Sequence, residues 1–261
     1  MERSHVNQFS EFVKLAQPAG PILPLAHMCD GFAFREIWNH QRVRTSPCKV
    51  FKPDKLVYFF YGRPAYRPSH GDEAVSLPAL MPVCLLFRPE AVRHIKRIAP
   101  FDTGGFRDEL FKKHMHPRMK VDDFLLDCAV DMPGRVVTCF FGSNRAYFFG
   151  QPRTLSIASR QHEAESYQSL ISDKGSTTID DRRATIEIQT DRSIAIGPKS
   201  VLLVVLPTAL LDDDFSSSLS KKWSAEVARY STHHCNPREY QSRMFEEVEK
   251  YLIKHHYMKP E

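Results

Sequence analysis

No Cys-x-x-Cys pair occurs in this chain, and its six cysteines (Cys29, Cys48, Cys84, Cys128, Cys139 and Cys235) show no zinc-ligand spacing. That absence argues against a structural zinc module and predicts reduced thiols. No apolar run approaches the ~18 residues needed to cross a bilayer. The longest, residues 201–206, is only strand-sized. The opening MERSHVNQFSEFVK lacks the apolar stretch of a secretory signal. These absences predict a soluble, cytoplasmic chain with no membrane partner. No GxGxxG follows a strand and no GxxxxGK[ST] occurs, so neither the dinucleotide fingerprint nor the P-loop supports a nucleotide site. HExxH is missing, because the residue four after His162 is Ser166, and so is GxSxG. There is no internal repeat, and the short runs at 212–214 and 216–218 fit a loop.

What is present suits a folded domain. The 261 residues are 42% hydrophobic and 11% aromatic, enough to bury a sizeable core. A net charge of +5 permits a polyanionic partner without demanding one. The pattern predicts a helix over 5–16, a strand over 23–28, and a helix over 32–40 with Phe34, Ile37 and Trp38 at helical spacing. An aromatic strand follows at 56–61, stopped by Gly62 and Pro64, and another strand at 82–87. Residues 88–98 and 107–130 read as helical, 101–106 as a turn, and 135–150 as two strands hairpinned around Gly142-Ser143-Asn144. A helix over 159–171 precedes a polar loop (172–183), an alternating strand (184–189) and a buried strand (200–207). From Ser220 onward the chain reads as helical, with Tyr240, Met244, Val248 and Tyr251 on one stripe. Short strands mixed with helices, without regular βα alternation, predict an α+β fold. The expected organisation is one domain over 1–261: a lead-in (1–22), a core (23–207) and C-terminal helices (220–261).

Four groups of residues carry potential chemistry. His27 ends a strand that runs into a helix, where an imidazole can bond a ligand hydroxyl from a rigid position. A half-buried histidine satisfied by backbone is the plainer alternative. Tyr58 and Tyr61 offer flat rings, and Arg63, held between Gly62 and Pro64, offers a planar charged fork for a phosphate. Glu187 shares a strand face with Thr185 and Gln189, opposite Ile186 and Ile188. That face meets either solvent or a cleft, and in a cleft a carboxylate can stabilise a cationic sugar. In HEAESYQ (162–168), Glu163 and Glu165 read as a solvated helix face. His114, His116 and the run His233-His234-Cys235 have no partner at ligand spacing, so no metal is expected. Cys139 and Cys235 lack a Cys-His signature, leaving buried thiols as the default.

The order of these groups carries a resemblance. A strand histidine followed by a helix (PLAHMCDGFAFREIWNHQRV), then LVYFFYGRPAYR, then RRATIE after a polar loop, resembles the H–Y–E-type ADP-ribosyltransferases, nearest to DarT-like enzymes that modify nucleic acid. The resemblance implies a split mixed β-sheet core with flanking helices and NAD as substrate, with no metal. It implies that His27 holds a ribose of NAD, that Tyr58, Tyr61 and Tyr66 line the nicotinamide wall, and that Arg63 and Glu187 are catalytic. Glu165 is the fallback for the acid. It further implies transfer to bases of RNA or DNA by a toxin of a toxin–antitoxin or antiphage system, with an antitoxin or chaperone partner. Arg35, Arg42, Arg44, Arg63 and Arg67 lean the same way. A protein acceptor, or a non-enzymatic nucleic-acid-binding module with an aromatic stacking platform, are the alternatives.

Overall fold

A computed structural model describes residues 8–65, 76–173, 182–232 and 237–260. Its strands are β1 (Leu25–Asp30), β2 (Arg42–Val43), β3 (Ser46–Pro47), β4 (Lys55–Tyr61), β5 (Pro82–Phe87), β6 (Arg97–Ala99), β7 (Glu187–Thr190), β8 (Ile194–Ala195), β9 (Val201–Pro207) and β10 (Glu226–Tyr230). Its helices are α1 (Gln8–Lys14), α2 (Gly31–His40), α3 (Thr103–Arg107), α4 (Met132–Phe140), α5 (Asn144–Phe148), α6 (His162–Ser172), α7 (Asp213–Trp223) and α8 (Pro237–Lys254). The main sheet runs β10-β9-β5-β1-β4-β7-β6, with β3 beside β4, and β2 and β8 form a separate ribbon. β9 and β10 pair in parallel and the other neighbours are antiparallel, which makes the sheet mixed and the fold α+β. Among the described residues no helix is long and apolar enough to cross a membrane.

The sheet forks at β1. This strand pairs with β5 along all six residues, but with β4 only at Leu25↔Tyr61 and Ala26↔Phe60. Beyond Ala26 the two strands part, and β4 turns its free edge to β3. On its other side β4 stays paired with β7 from Val57↔Thr190 to Phe60↔Glu187. The strands bearing His27, Tyr58 and Glu187 are therefore neighbours. α2 starts without a loop, because Asp30 closes β1 and also caps the helix, its Oδ1 accepting from Ala33 N at 2.7 Å.

The strands β5 and β9 are buried along their whole length, as their unbroken apolar runs require. The predicted α8 stripe, Tyr240, Met244, Val248 and Tyr251, is buried. A second cluster joins α1, α4 and α6, where Phe9, Phe140 and Tyr167 meet at centroid distances of 4.7–5.9 Å. The five described cysteines are free thiols.

Four predicted elements differ. Residues 135–150 form no hairpin. Pro133 in the first turn starts α4, and Ser143, whose Oγ accepts from Ala146 N at 3.1 Å, caps α5. Packing of Phe140 on Phe9 and Tyr167 overrides the β preference of the Val and Phe residues. Residues 226–230, read as helical, form β10, because the edge of β9 offers Val227 and its neighbours a ladder. The expected helix over 88–98 is one 3₁₀ turn, Pro89–Ala91, followed by β6. The expected helical stretch 107–130 holds only short 3₁₀ turns after α3, which occupies the expected turn at 101–106.

Candidate functional site

His27 sits where β1 leaves β4, and its Nδ1 lies 2.9 Å from the Tyr58 carbonyl across the gap. A carbonyl only accepts, so Nδ1 carries the hydrogen and Nε2 is left as an acceptor while the ring is neutral. Burial, outweighing that carbonyl, moves the imidazole below the usual value of 6.5 and favours the neutral form. The ring packs 5.6 Å from Phe59. It also lines a cleft of about 630 Å³ with Asp30, Glu36, His40, Arg42 and Arg44.

Glu187 is 2% exposed, so its face meets neither solvent nor an open surface. Thr103 Oγ1 donates to its Oε1 at 2.8 Å and Gln189 Nε2 to the same oxygen at 2.6 Å, while Thr103 N approaches Oε2 at 3.4 Å. Behind Gln189, Arg97 Nη1 donates to its Oε1 at 3.4 Å and Arg97 Nη2 to Asp54 at 2.7 Å. Burial first, and the nearby Asp102 charge second, push the Glu187 carboxyl up to about 7. Asp102 is held by Gly105 N at 2.6 Å and lies 3.6 Å from Arg182 Nη1. Tyr58 is half-buried near this group, and burial followed by the Cys48 thiol beside it raises its phenol.

Arg63 is turned inward by the bend that opens at Gly62. Gly62 has φ +67, and a Cβ there would come within 2.9 Å of Leu23 Cβ. Pro64 keeps Arg63 extended. The guanidinium is 2% exposed, donates from Nη1 to the Tyr147 carbonyl at 3.0 Å, and lies 5.6 Å from the Tyr147 ring. Tyr147 Oη in turn donates to Tyr61 O at 2.9 Å and accepts from Ile186 N at 3.0 Å, so one side chain ties the end of β4 to the lead-in of β7. Arg63 lines a cavity of about 260 Å³ with Arg182, Thr185, Phe149, Ser242 and Phe245.

The expected residues thus form three groups. Glu187 and Tyr58 share one face of the sheet by register, whereas His27 lies with Phe59 on the other. Arg63 belongs to a separate cavity that meets the Glu187 group through Arg182 and Asp102. Tyr61 is buried, with its hydroxyl accepting from Leu23 N at 3.0 Å. Glu165 lies on the exposed side of α6, 3.6 Å from His162. Tyr66 falls outside the described residues. The sequence reading missed Asp102, Thr103, Arg182 and Tyr147. Only Gln189 had a visible signal, its place on the Glu187 face by alternation. No protein-family model matches this chain, and no curated protein matches it.

Proposed function

We propose that this chain is an NAD-dependent ADP-ribosyltransferase that modifies bases of RNA or DNA. The observation that carries the reading is the fork. The strands of His27, Tyr58 and Glu187 stand side by side, and the sheet opens between the first two. This is the split mixed sheet that the resemblance implies. The residues around the fork suit NAD. His27 Nε2 can accept from a ribose hydroxyl. Arg42 and Arg44 on the same cleft carry the charge a pyrophosphate needs. Because His27 and Glu187 face opposite ways, the reading requires the dinucleotide to enter the gap between β1 and β4 and reach both.

The chemistry is then cleavage of the bond between nicotinamide and the ribose C1′. The bonding electrons leave with nicotinamide, and an oxocarbenium-like sugar forms. Glu187, as carboxylate, stabilises that cation, and Gln189 and Thr103 hold it in place. A nucleophilic atom of the acceptor base closes the new bond and gives up its proton. Such transfer damages nucleic acid in the cell that makes it, so the protein acts as a toxin of a toxin–antitoxin or antiphage system with an antitoxin or chaperone partner.

The test is incubation with NAD labelled in its adenylate half, alongside single-stranded DNA, RNA and a protein mixture, with nicotinamide release read in parallel. Label on a nucleic acid that Glu187→Gln abolishes is the expected outcome. Label on protein alone would redirect the acceptor. With no label and no nicotinamide release, the transferase reading fails.

A further inference from the structure

The cavity beside α8 presents two arginines, Arg63 and Arg182, and no carboxylate among its described lining residues. Both guanidiniums are themselves more than nine-tenths buried, at 2% and 7% exposure. A planar guanidinium fork matches the oxygens of a phosphate, and two forks at one cavity concentrate positive charge where water screens it poorly. The hydroxyl residues Thr185 and Ser242 share the wall. Opposite them, the partly buried Phe149 and Phe245 supply aromatic surface against which a base can stack. The volume of about 260 Å³ lies at the small end of ligand pockets, near 300 Å³, which suits one nucleotide unit in place of a whole dinucleotide.

We infer that this cavity is an acceptor subsite that seats one phosphate of a single-stranded polynucleotide, with an adjoining base against Phe149 and Phe245. The position fits that role. Thr185 lies two residues before Glu187, and Arg182 is 3.6 Å from Asp102, whose charge acts on Glu187. The acceptor's phosphate is thus held next to the acid, while His27 and its cleft stand on the far side of the fork. A free carboxylate would answer the charge but leave the aromatic wall without a role.

The inference deepens the transferase reading and rests on it for the acceptor's purpose, but binding alone tests it. Gln241 lines the cavity on α8 and is only partly buried, so charge changes there spare the core. Gln241→Glu and Gln241→Lys are compared by fluorescence anisotropy of labelled single-stranded DNA and RNA oligonucleotides. NAD binding is measured in parallel by calorimetry. The expected result is about tenfold weaker oligonucleotide binding in Gln241→Glu and tighter binding in Gln241→Lys, the size expected when one charge acts on a phosphate in a partly screened site. Inorganic phosphate and a nucleoside monophosphate should compete, the latter at lower concentration. A loss of NAD affinity in place of oligonucleotide affinity would assign the cavity to the dinucleotide and overturn the inference. No response of oligonucleotide binding to either charge overturns it as well, as does a response confined to phosphorylated peptides. If the oligonucleotide response holds but no nicotinamide is ever released, the transferase reading fails and the subsite stands.

Discussion

Tyr147 holds Arg63 with its backbone and the sheet with its side chain. Its carbonyl accepts from Arg63 Nη1 at 3.0 Å, while its hydroxyl bridges Tyr61 O and Ile186 N. The arginine is therefore indexed to the same contact that joins β4 to β7. Tyr147→Phe leaves Ile186 N without its acceptor in a buried place. A loss of about 1–3 kcal/mol in urea unfolding is expected. A variant as stable as the parent would show that the bridge adds nothing.

Gly62→Ala tests the bend that turns Arg63 inward. An alanine would have to adopt φ near +67 and place its Cβ against Leu23. The left-handed conformation and the overpacking together should cost about 2–4 kcal/mol. Chemical denaturation measures it, and a cost under about 0.5 kcal/mol, the range of neutral surface changes, would mean that the bend relaxes freely.

The Glu187 carboxyl sets a pH dependence for activity. It is held at about 7, and only the ionised form stabilises a cationic sugar. Nicotinamide release should rise as pH climbs through about 7, and Glu187→Gln should reduce it by about 10²–10³-fold. A rate that is flat from acid to alkaline pH, or a variant with full activity, removes Glu187 from the chemistry.

The same group sets a pH dependence for stability. Its value rises from 4.5 to about 7 on folding, so the folded chain binds a proton that the unfolded chain releases in that interval. The contribution is complete below about 4.5 and declines as pH rises to about 7. Unfolding free energies across this window should fall more steeply in the parent than in Glu187→Gln, which has no such proton to lose. Parallel profiles would place the charge of Glu187 in a wetter setting.

His27→Ala removes the Tyr58 contact and the Nε2 acceptor together. It should raise the KM for NAD about tenfold, the weight of one hydrogen bond to a ligand, with a smaller effect on kcat. Steady-state kinetics separates the two, and an unchanged KM excludes His27 from the dinucleotide cleft.

Local chemistry wrote much of this fold into the chain. Proline and glycine stops bounded β4, the apolar runs became β5 and β9, and the helical stripe of α8 turned inward as its spacing required. Alternation correctly placed Gln189 beside Glu187, and Gly62-Arg63-Pro64 announced a constrained arginine. Long-range contacts decided the rest. A strand's period tells which side chains share a face, but not whether another segment covers that face. Thr103, 84 residues from Glu187, does the covering here, and so converts a residue that could have met solvent into a buried acid. Register, set by pairing between distant strands, put His27 and Glu187 on opposite faces. Packing against Phe9 and Tyr167 made a helix of α4, and the open edge of β9 made a strand of β10. Each outcome depends on energies of contact between segments that no local window contains.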